Sequence, residues 1–309
     1  MKKKMVVTGG AGFIGSHIAE EGIVRGYDVV ILDNLSSGHR KNLPAQATFI
    51  QGNMSDQAVL REVFQGAETV FHLAALISVP ESMKEKRKYM DVNTVGMVDV
   101  LEMAVASGVK NFIFSSSAAV YGDNPVSPKV EAMLPEPLSP YALNKLDGEY
   151  LLQMYAQEFG LNAVALRYFN VFGPRQSPKS AYAAAVPIFF DRALKNQPIT
   201  IYGDGEQTRD FVYVKDIVQA NFLAAESGEK LKAVPKKIFN VASGQVTTIK
   251  DLVHSIIQIT GSSSIVEYLP ARPGDIKHSR GNPQKIRDTL GFQPRFDLER
   301  GLREIVGLI

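Results

Sequence analysis

A short apolar strand that runs into a cluster of glycines and then into a helix constrains this chain more than any other feature. Residues 5–16 read MVVTGGAGFIGS. Gly10, Gly12 and Gly15 fit the spacing G-x-G-x-x-G, whereas Gly9, Gly12 and Gly15 fit a regular spacing of three. In either register the backbone can turn tightly, approach a pyrophosphate closely and pack helix on strand. The amides that open the helix then face an anion, so the turn predicts a phosphate site.

A second strand and an acidic residue extend this turn into a dinucleotide motif. Residues 27–33 read YDVVILD and end on Asp33, close to the roughly 20 residues past the last glycine where a ribose-binding carboxylate is expected. A carboxylate accepts hydrogen bonds from both ribose hydroxyls and repels a 2′-phosphate, which favours NAD over NADP. The glycines alone could be a structural turn. Strand, turn, helix, strand and acid together predict dinucleotide binding.

Apolar strands and helices keep alternating beyond Asp33. The predicted strands and the helices between them cover residues 47–51, 55–65, 68–73, 82–107, 110–115, 141–159 and 161–168. Such runs indicate a parallel sheet covered on both faces, so we expect an α/β fold with a doubly wound parallel (Rossmann) sheet. From Gly173 the rhythm breaks into prolines and short strands, which predicts a smaller mixed α/β C-terminal substrate subdomain.

The domain boundaries follow from this change of rhythm. We expect an NAD-binding Rossmann domain over residues 1–172. It should also receive 211–260, because helix candidates in that stretch can return to the sheet. Residues 173–210 and 261–309 would form the substrate-binding subdomain. With 309 residues, 45% of them hydrophobic, the chain can bury a core of this size.

Charge and composition exclude several other classes of protein. The net charge of +2, from 34 basic and 32 acidic residues, gives no reason to expect nucleic acid or a membrane surface as a partner. There is no cysteine, which excludes disulfides and thiolate chemistry. The start MKKK is followed by only three apolar residues, so we expect a cytoplasmic protein without an export signal. None of the five histidines stands in a metal-ligand spacing, so no catalytic metal is expected.

The candidate active site lies where strands end, because ligands of an open parallel sheet bind beyond its carboxyl edge. Ser115, Ser116 and Ser117 close one predicted strand, and Tyr141 precedes Lys145 by four residues at the start of the next long helix. That spacing places both side chains on one helix face. A packed aromatic ring beside a solvated amine is the alternative interpretation.

Oxidation of an alcohol requires exactly the kind of base that this pair could form. A base must take the hydroxyl proton, and an unperturbed phenol with a pKa of about 10 is too weak at neutral pH. Lowering that pKa to about 7 takes about 4 kcal/mol, which one cation at about 4 Å supplies at an effective dielectric of about 20. We therefore expect Lys145, together with the nicotinamide charge, to lower the pKa of Tyr141. Ser117 is the candidate to hydrogen bond the reacting oxygen.

These motifs resemble one family, the extended short-chain dehydrogenase/reductases, and within it the nucleotide-sugar enzymes, most closely the UDP-hexose 4-epimerases. The resemblance covers nearly the whole chain and rests on TGGAGFIG at 8–15, DN at 33–34, HLAA at 72–75, Asn93, SSS at 115–117, Tyr141 with Lys145, RYFN at 167–170, YGDG at 202–205, RD at 209–210 and RPGD at 272–275. It implies that Tyr141 is the catalytic base, Lys145 its activator and Ser117 the partner of the sugar O4.

The resemblance also implies two sets of binding residues. Cofactor binding is expected of Gly9, Gly12, Phe13, Ile14, Gly15, Asp33, Asn34, Asn53, Met54, Leu73, Ala74, Ala75, Asn93, Ser115, Tyr141, Lys145 and Tyr168. Binding of a UDP-sugar substrate is expected of Ser117, Tyr141, Asn170, Tyr202, Arg209, Arg272, Asp275 and Ser279. It implies a homodimer as well, formed by helices at 95–106 and 141–159, although the apolar residues there could instead be buried within one monomer.

Two alanines bear on the type of reaction. Ala118 and Ala119 stand where the dehydratases and decarboxylases of the resembled family carry acidic residues, and a methyl group can neither donate nor accept a proton. We therefore expect an NAD-dependent 4-epimerase that interconverts UDP-glucose and UDP-galactose through a transient 4-keto sugar. Two alternatives stay open: another nucleotide-sugar oxidoreductase, such as a 4-ketoreductase or dehydratase, and a non-catalytic NAD-binding regulator.

Four further positions depart from or refine the family pattern. Ser279 aligns with a position where a large aromatic restricts the pocket to plain hexoses, so a serine predicts that UDP-GlcNAc and UDP-GalNAc are also accepted. Ile77 stands where some epimerases have a lysine near the cofactor phosphates, and Asn53 with Met54 replaces the commoner acid after the third strand. NAD is therefore expected to dissociate more readily than is usual in the family, although the Asn53 amide can still bond adenine.

Overall fold

The computed structural model describes residues 2–178, 184–231, 233–271 and 276–307. The strands in these ranges are β1 (Lys4–Thr8), β2 (Asp28–Asp33), β3 (Thr48–Gln51), β4 (Ala67–His72), β5 (Asn111–Ser117), β6 (Asn162–Tyr168), β7 (Asn170–Phe172), β8 (Ile199–Tyr202), β9 (Thr208–Arg209), β10 (Phe211–Tyr213), β11 (Ile238–Val241), β12 (Thr247–Thr248) and β13 (Val266–Leu269). The helices are α1 (Phe13–Val24), α2 (Gln57–Phe64), α3 (Val79–Lys84), α4 (Lys86–Tyr89), α5 (Gly96–Ala106), α6 (Pro140–Phe159), α7 (Ala185–Leu194), α8 (Val214–Glu226), α9 (Gly228–Leu231), α10 (Ile249–Thr260), α11 (Gln284–Leu290) and α12 (Leu298–Val306).

Among the described residues, seven strands form one parallel sheet in the order β11-β6-β5-β4-β1-β2-β3. From β3 to β6 this is the 3-2-1-4-5-6 order of the doubly wound dinucleotide-binding fold, with β11 added beside β6. The predicted α/β fold class is therefore confirmed. The strand order reverses between β1 and β4, and the carboxyl ends of these two strands open a crevice for a ligand.

Two hydrophobic layers cover the two faces of this sheet. Successive side chains of a strand point to opposite faces, so on β1 Val6 enters one layer and Val7 the other. The Val7 layer contains Ile18 of α1 and Phe222 of α8, whereas the Val6 layer contains residues of α2, α5 and α6, such as Leu152. Burial on both faces explains why these strands read as unbroken apolar runs.

The C-terminal part of the chain, from residue 170 onward, combines short strand pairs with a hydrophobic cluster of its own. β7 pairs with β10 and β8 with β13 in parallel, and β9 pairs with β12 antiparallel. Helices α7, α10 and α12 supply most of the third cluster. From the stretch 211–260, α8 and β11 lie on the large sheet, whereas α10 packs against α7. The domain boundaries predicted from the sequence stay a proposal, with α8 and β11 as the returning elements.

The helical stretch expected over 82–107 is present, but it is divided into α3, α4, a π-helical segment at Met90–Val95 and α5, with Glu85 in a non-helical conformation between α3 and α4. Leu231, at the end of α9, is fully buried against the sheet layer. In the described part of the chain, no helix is both long and apolar enough to cross a membrane.

Candidate active site

The glycine turn between β1 and α1 has room for nothing larger than glycine at two of its positions. Gly9 adopts φ +73°, a conformation that side chains disfavour, and a Cβ at Gly15 would lie 2.3 Å from the Gly9 carbonyl oxygen. Gly12 precedes the first helical residue and provides no capping side chain, so no side chain of that residue covers the opening amides. The turn therefore keeps the open backbone cradle that a pyrophosphate requires.

The Asp33 carboxylate ties the end of β2 to this turn. It is buried, and it accepts hydrogen bonds from the Ala11 amide at 3.0 Å and the Leu35 amide at 2.8 Å. Just beyond it, the Asn34 amide donates to the Asn53 side-chain oxygen at 2.7 Å. A fixed carboxylate beside an open glycine cradle fits a dinucleotide with free ribose hydroxyls, and these residues are where NAD would be held.

A buried histidine, His72, lies at the end of β4 beside the Thr8 hydroxyl. The Thr8 hydroxyl oxygen accepts from the Leu73 and Ala74 amides at 3.2 and 3.3 Å. Its proton is therefore free to be donated to His72 Nδ1, 2.8 Å away. Burial lowers the pKa of His72 to about 3, so the imidazole is neutral at physiological pH. The pattern HLAA had identified the segment but not this bond.

Three of the residues predicted to bind the cofactor make contacts within the chain. The Asn93 side chain, in the π-helical segment, accepts from the Leu76 amide at 2.8 Å and donates to the Leu76 oxygen at 2.9 Å. It thereby holds the loop after β4, and π segments often mark functional positions. Met54 is a core residue. Tyr168 is buried, with its hydroxyl bonded to Asn221 at 3.0 Å.

The proposed catalytic pair lies where α6 meets the end of β5. Ser139 caps the helix by accepting from the Ala142 amide at 3.2 Å, and Tyr141 follows in the first turn. Lys145, one turn later, is 4% exposed and donates to the Ser115 carbonyl oxygen at 2.6 Å. Its nitrogen lies 5.9 Å from the centre of the Tyr141 ring. The structure thus brings the phenol and the amine together at the carboxyl edge of the sheet, as the spacing predicted.

Burial dominates the electrostatics of this pair. Burial raises the pKa of Tyr141, and the hydrogen bond between its phenol and the Ser117 hydroxyl only partly opposes that effect. Burial also lowers the pKa of Lys145 to about 8. The chain's own residues thus leave the pKa of Tyr141 raised, and the expected lowering by Lys145 together with the nicotinamide charge stays a prediction. The ammonium is directed at the Ser115 carbonyl and is itself desolvated, and desolvation of the phenolate is the larger effect.

The predicted substrate residues lie beyond the end of β6 and on the short strands that follow residue 170. Asn170 is exposed and is the first residue of β7. It lies two residues after Tyr168, which pairs with Ser117 between β6 and β5. Arg209 is partly buried, and its Nη1 donates to the Thr208 carbonyl at 2.9 Å. That same carbonyl accepts from the Ser279 amide at 3.1 Å, so Arg209 and Ser279 are neighbours.

The remaining substrate predictions divide between a strand end and the undescribed ranges. Tyr202 is partly buried at the end of β8. Arg272 and Asp275 lie outside the described residues. In the parts of the chain that are described, no three histidine, aspartate or glutamate side chains come close enough together to hold a metal ion.

Comparisons with known proteins agree on one family. Residues 5–242 match the model of the NAD dependent epimerase/dehydratase family. A UDP-glucose 4-epimerase of Corynebacterium glutamicum is 36% identical over 94% of this chain and 91% of its own. A UDP-N-acetyl-alpha-D-glucosaminuronate decarboxylase of Bacillus cytotoxicus is 33% identical over 99% and 97%.

Two solved structures are similar over nearly their full length. A UDP-glucose 4-epimerase of Thermotoga maritima, determined with UDP-glucose, is 40% identical at a TM-score of 0.93 and covers 98% of this chain and 97% of its own. A UDP-N-acetylglucosamine 4-epimerase of Methanobrevibacter ruminantium M1, in complex with UDP-N-acetylmuramic acid, is 44% identical at the same TM-score over 99% and 98%. Relatives of this similarity thus include epimerases of two substrate types and one decarboxylase.

Proposed function

The chain belongs to the NAD-dependent epimerase/dehydratase family, and we propose that within it the protein is a UDP-hexose 4-epimerase. Its cofactor is NAD. The reaction would interconvert UDP-glucose and UDP-galactose by oxidation and re-reduction at C4 of the sugar. The glycine cradle and the Asp33 carboxylate would hold the cofactor, and the residues at the end of β5 would perform the proton transfers.

One observation carries this proposal. Ser117, which bonds the Tyr141 phenol, is followed at once by Ala118 and Ala119 in a single 3₁₀ turn. The Ala119 amide donates to the Ser117 hydroxyl at 3.1 Å, which fixes the turn. The site therefore has a base for the sugar hydroxyl but two methyl groups at the positions after it. Proton removal at one oxygen is supported, and elimination of water or loss of a carboxylate has no acid–base partner in this turn.

The chain's own groups fit the proton transfers of such a reaction. NAD, when bound, supplies reversible two-electron oxidation. Tyr141 accepts the proton of the sugar hydroxyl and later returns it, while Ser117 holds the same oxygen by a hydrogen bond. Lys145 is buried and donates to the Ser115 carbonyl oxygen, and its charge together with that of the nicotinamide would offset part of the desolvation that raises the pKa of Tyr141. Neutral His72 contributes no competing charge at this edge.

The nucleotide would be held apart from the reacting sugar. Asn170 on β7 and Arg209 on β9 lie in the part of the chain from residue 170 onward. A guanidinium such as that of Arg209 binds two diphosphate oxygens at once. Because the sugar must turn over between oxidation and reduction, binding energy has to come from the UDP portion. Arg272 and Asp275 are expected to act with Arg209 by the family pattern.

N-acetylated substrates are a second candidate. Ser279 stands in the segment that runs beside Thr208, and its small side chain leaves more space there than an aromatic ring would. The similar structure from Methanobrevibacter ruminantium M1 is a UDP-N-acetylglucosamine 4-epimerase. We therefore propose that UDP-GlcNAc and UDP-GalNAc are accepted as well as the plain hexoses.

We also propose a homodimer through the outer face of α6 and the start of α5. Val95, Leu143, Tyr150 and Met154 are each between 41% and 57% exposed, an apolar surface that a second copy could cover. Leu101 and Met103, which the sequence placed in the same interface, are instead buried in the monomer core. The exposed stripe on α6 thus carries this proposal.

Product analysis by NMR tests the function directly. The purified protein is incubated separately with UDP-glucose, UDP-GlcNAc and UDP-glucuronic acid. We expect inversion at C4 for the first two and no net change in nicotinamide absorbance. A stable 4-keto-6-deoxy sugar, or loss of carbon dioxide from the uronic acid, would replace the epimerase proposal with a dehydratase or decarboxylase.

A further inference from the structure

A third residue of α6 faces the end of β5 together with Tyr141 and Lys145. Glu149 follows Lys145 by four residues, and a spacing of four keeps side chains on one helix face. It is 1% exposed and accepts from the Ser116 hydroxyl at 2.5 Å. Three adjacent residues of β5 therefore bind three successive turns of α6, and the Ser116 to Glu149 bond has no part in the proposed chemistry.

Arg167 on β6 holds the Glu149 carboxylate with two parallel hydrogen bonds. Its Nε and Nη2 donate to the two carboxylate oxygens at 2.8 and 2.7 Å, and both side chains are almost completely buried. The guanidinium also lies 4.8 Å from the centre of the Tyr121 ring. The Tyr121 hydroxyl in turn donates to Asn240 on β11 at 2.7 Å. The carboxylate of α6 is thus bonded directly to β5 and β6, and Arg167 and Tyr121 link it further to β11.

The energetics of this ion pair point to geometry as its role. A buried ion pair is often no more stabilising than apolar residues of the same volume, because both charges lose their hydration. Elsewhere α6 faces the sheet with apolar side chains such as Leu152. Apolar contacts are non-directional, whereas a two-point bond to a planar guanidinium fixes the position and rotation of the group it holds.

We propose that Glu149, held by Ser116 and Arg167, is a positioning residue that sets the rotation of α6 and thereby the places of Tyr141 and Lys145. The inference rests on the proposed function for its catalytic readout. Rotation of the helix by a small angle moves the phenol away from Ser117 and the ammonium away from the Ser115 carbonyl. Displacements of about 1 Å in such a site can lower a rate by about 100-fold.

A single hydroxyl provides the mildest test. Ser116→Ala removes the bond to Glu149 and leaves the ion pair in place. We expect kcat to fall about tenfold with an unchanged KM for the UDP-sugar, because the nucleotide contacts lie elsewhere. Thr69→Val is the matched control. Thr69 lies near the amino end of β4, is also buried, and its hydroxyl accepts a hydrogen bond from Asn111 at the start of β5. Equal kcat in Ser116→Ala and the control would overturn the proposal.

A double variant separates positioning from stability. Glu149→Met with Arg167→Met replaces the ion pair by apolar side chains of similar length and leaves no unpaired charge, so the protein is expected to fold with a thermal midpoint close to that of the wild type. We expect kcat to fall at least tenfold nonetheless. If this variant folded and kept the wild-type kcat, the ion pair would have no positioning role.

Titration of the Tyr141 phenol gives a readout that needs no substrate. The ultraviolet absorbance of phenolate is followed against pH in the wild type and in the double variant. From each curve the curve of the same protein carrying Tyr141→Phe is subtracted, which leaves the contribution of Tyr141. We expect the Tyr141 titration to shift in the double variant, because Ser117 and Lys145 no longer face the phenol in the same way. An unshifted titration would overturn the proposal even if no UDP-hexose were epimerised, whereas an absence of epimerisation with a shifted titration would remove only the proposed function.

Discussion

The two halves of the candidate site are held in different ways. Where β5 meets α6, side chains are fixed by buried hydrogen bonds, and Lys145 and Glu149 are 4% and 1% exposed. Where β9 meets residues 276–279, two backbone hydrogen bonds and an exposed bond between the Thr208 and His278 side chains hold the segment, and Arg209 and Ser279 are only partly buried. The geometry of proton transfer is therefore preorganised, whereas the surface expected to select the sugar is more open to change.

One buried carboxylate is the exception in the second region. Asp210 accepts from the amides of Ser243, Gly244 and Gly281 at 2.8, 3.0 and 3.1 Å. Burial raises its pKa, and these bonds oppose that effect. Asp210, directly after β9, thus anchors the loop that contains Ser279 and Gly281 to the end of that strand. The two regions differ in what is anchored: reactive side chains in the first, and the backbone of a loop in the second.

The comparison predicts that the largest loss of activity follows a change in the first region. Tyr141→Phe removes the proposed base and is expected to lower kcat by about 10³-fold, within the usual range for general base catalysis, with little change in KM. Tyr155→Phe is the matched control, because Tyr155 is buried on the same helix. Steady-state kinetics measure both. Turnover by Tyr141→Phe at the level of the control would remove the base from the mechanism.

The buried ammonium predicts an effect of pH on stability. Lys145 has a pKa of about 8 in the folded protein and an ordinary value of 10.5 when unfolded. Between these values the unfolded chain binds more protons, so stability rises with pH, by a total of about 3 kcal/mol. Denaturant unfolding from about pH 7 to about pH 10 should show the free energy of unfolding of the wild type rising relative to that of Lys145→Met. A constant difference would contradict the burial of a charged amine.

Changes in the second region should act on binding. Arg209→Gln removes a cation proposed to hold the diphosphate, and loss of a charged hydrogen bond of about 1.5 to 3 kcal/mol corresponds to a KM raised about 10- to 100-fold. The effect on kcat is expected to be smaller. Arg303→Gln is the control, since Arg303 pairs with Glu299 on the exposed α12. A fall in kcat without a change in KM would erase the distinction between the two regions.

The smallest expected effect concerns substrate choice. Ser279→Tyr should lower turnover of UDP-GlcNAc relative to UDP-glucose by about tenfold, as expected when a pocket loses the space for a small group. Ser279→Ala keeps the side chain small and should preserve the ratio. Competition between the two substrates, followed by NMR, measures it. An unchanged ratio in Ser279→Tyr would show that this loop does not limit the size of the sugar.

Much of the fold could be predicted because its signals are local. Glycine spacing, apolar strand runs and the acid at Asp33 each depend on a few consecutive residues, and the parallel sheet followed from their alternation. The pair Tyr141 and Lys145 was found for the same reason, since four residues separate its members on one helix. The bond between Asn93, in the π-helical segment, and the distant loop at Leu76 could not be predicted, because it joins residues that no local spacing relates.

By itself the sequence determined the doubly wound sheet, the cofactor cradle and the residues that meet at the end of β5. Only the tertiary structure decided their chemical state. The raised pKa of Tyr141, the lowered pKa of Lys145 and the neutral form of His72 all result from burial, which depends on residues far apart in the chain. The bond between Glu149 and Arg167 joins a helix to a strand in the same way. Spacing along a chain can place two groups on one face, but loss of hydration is a property of the packed molecule.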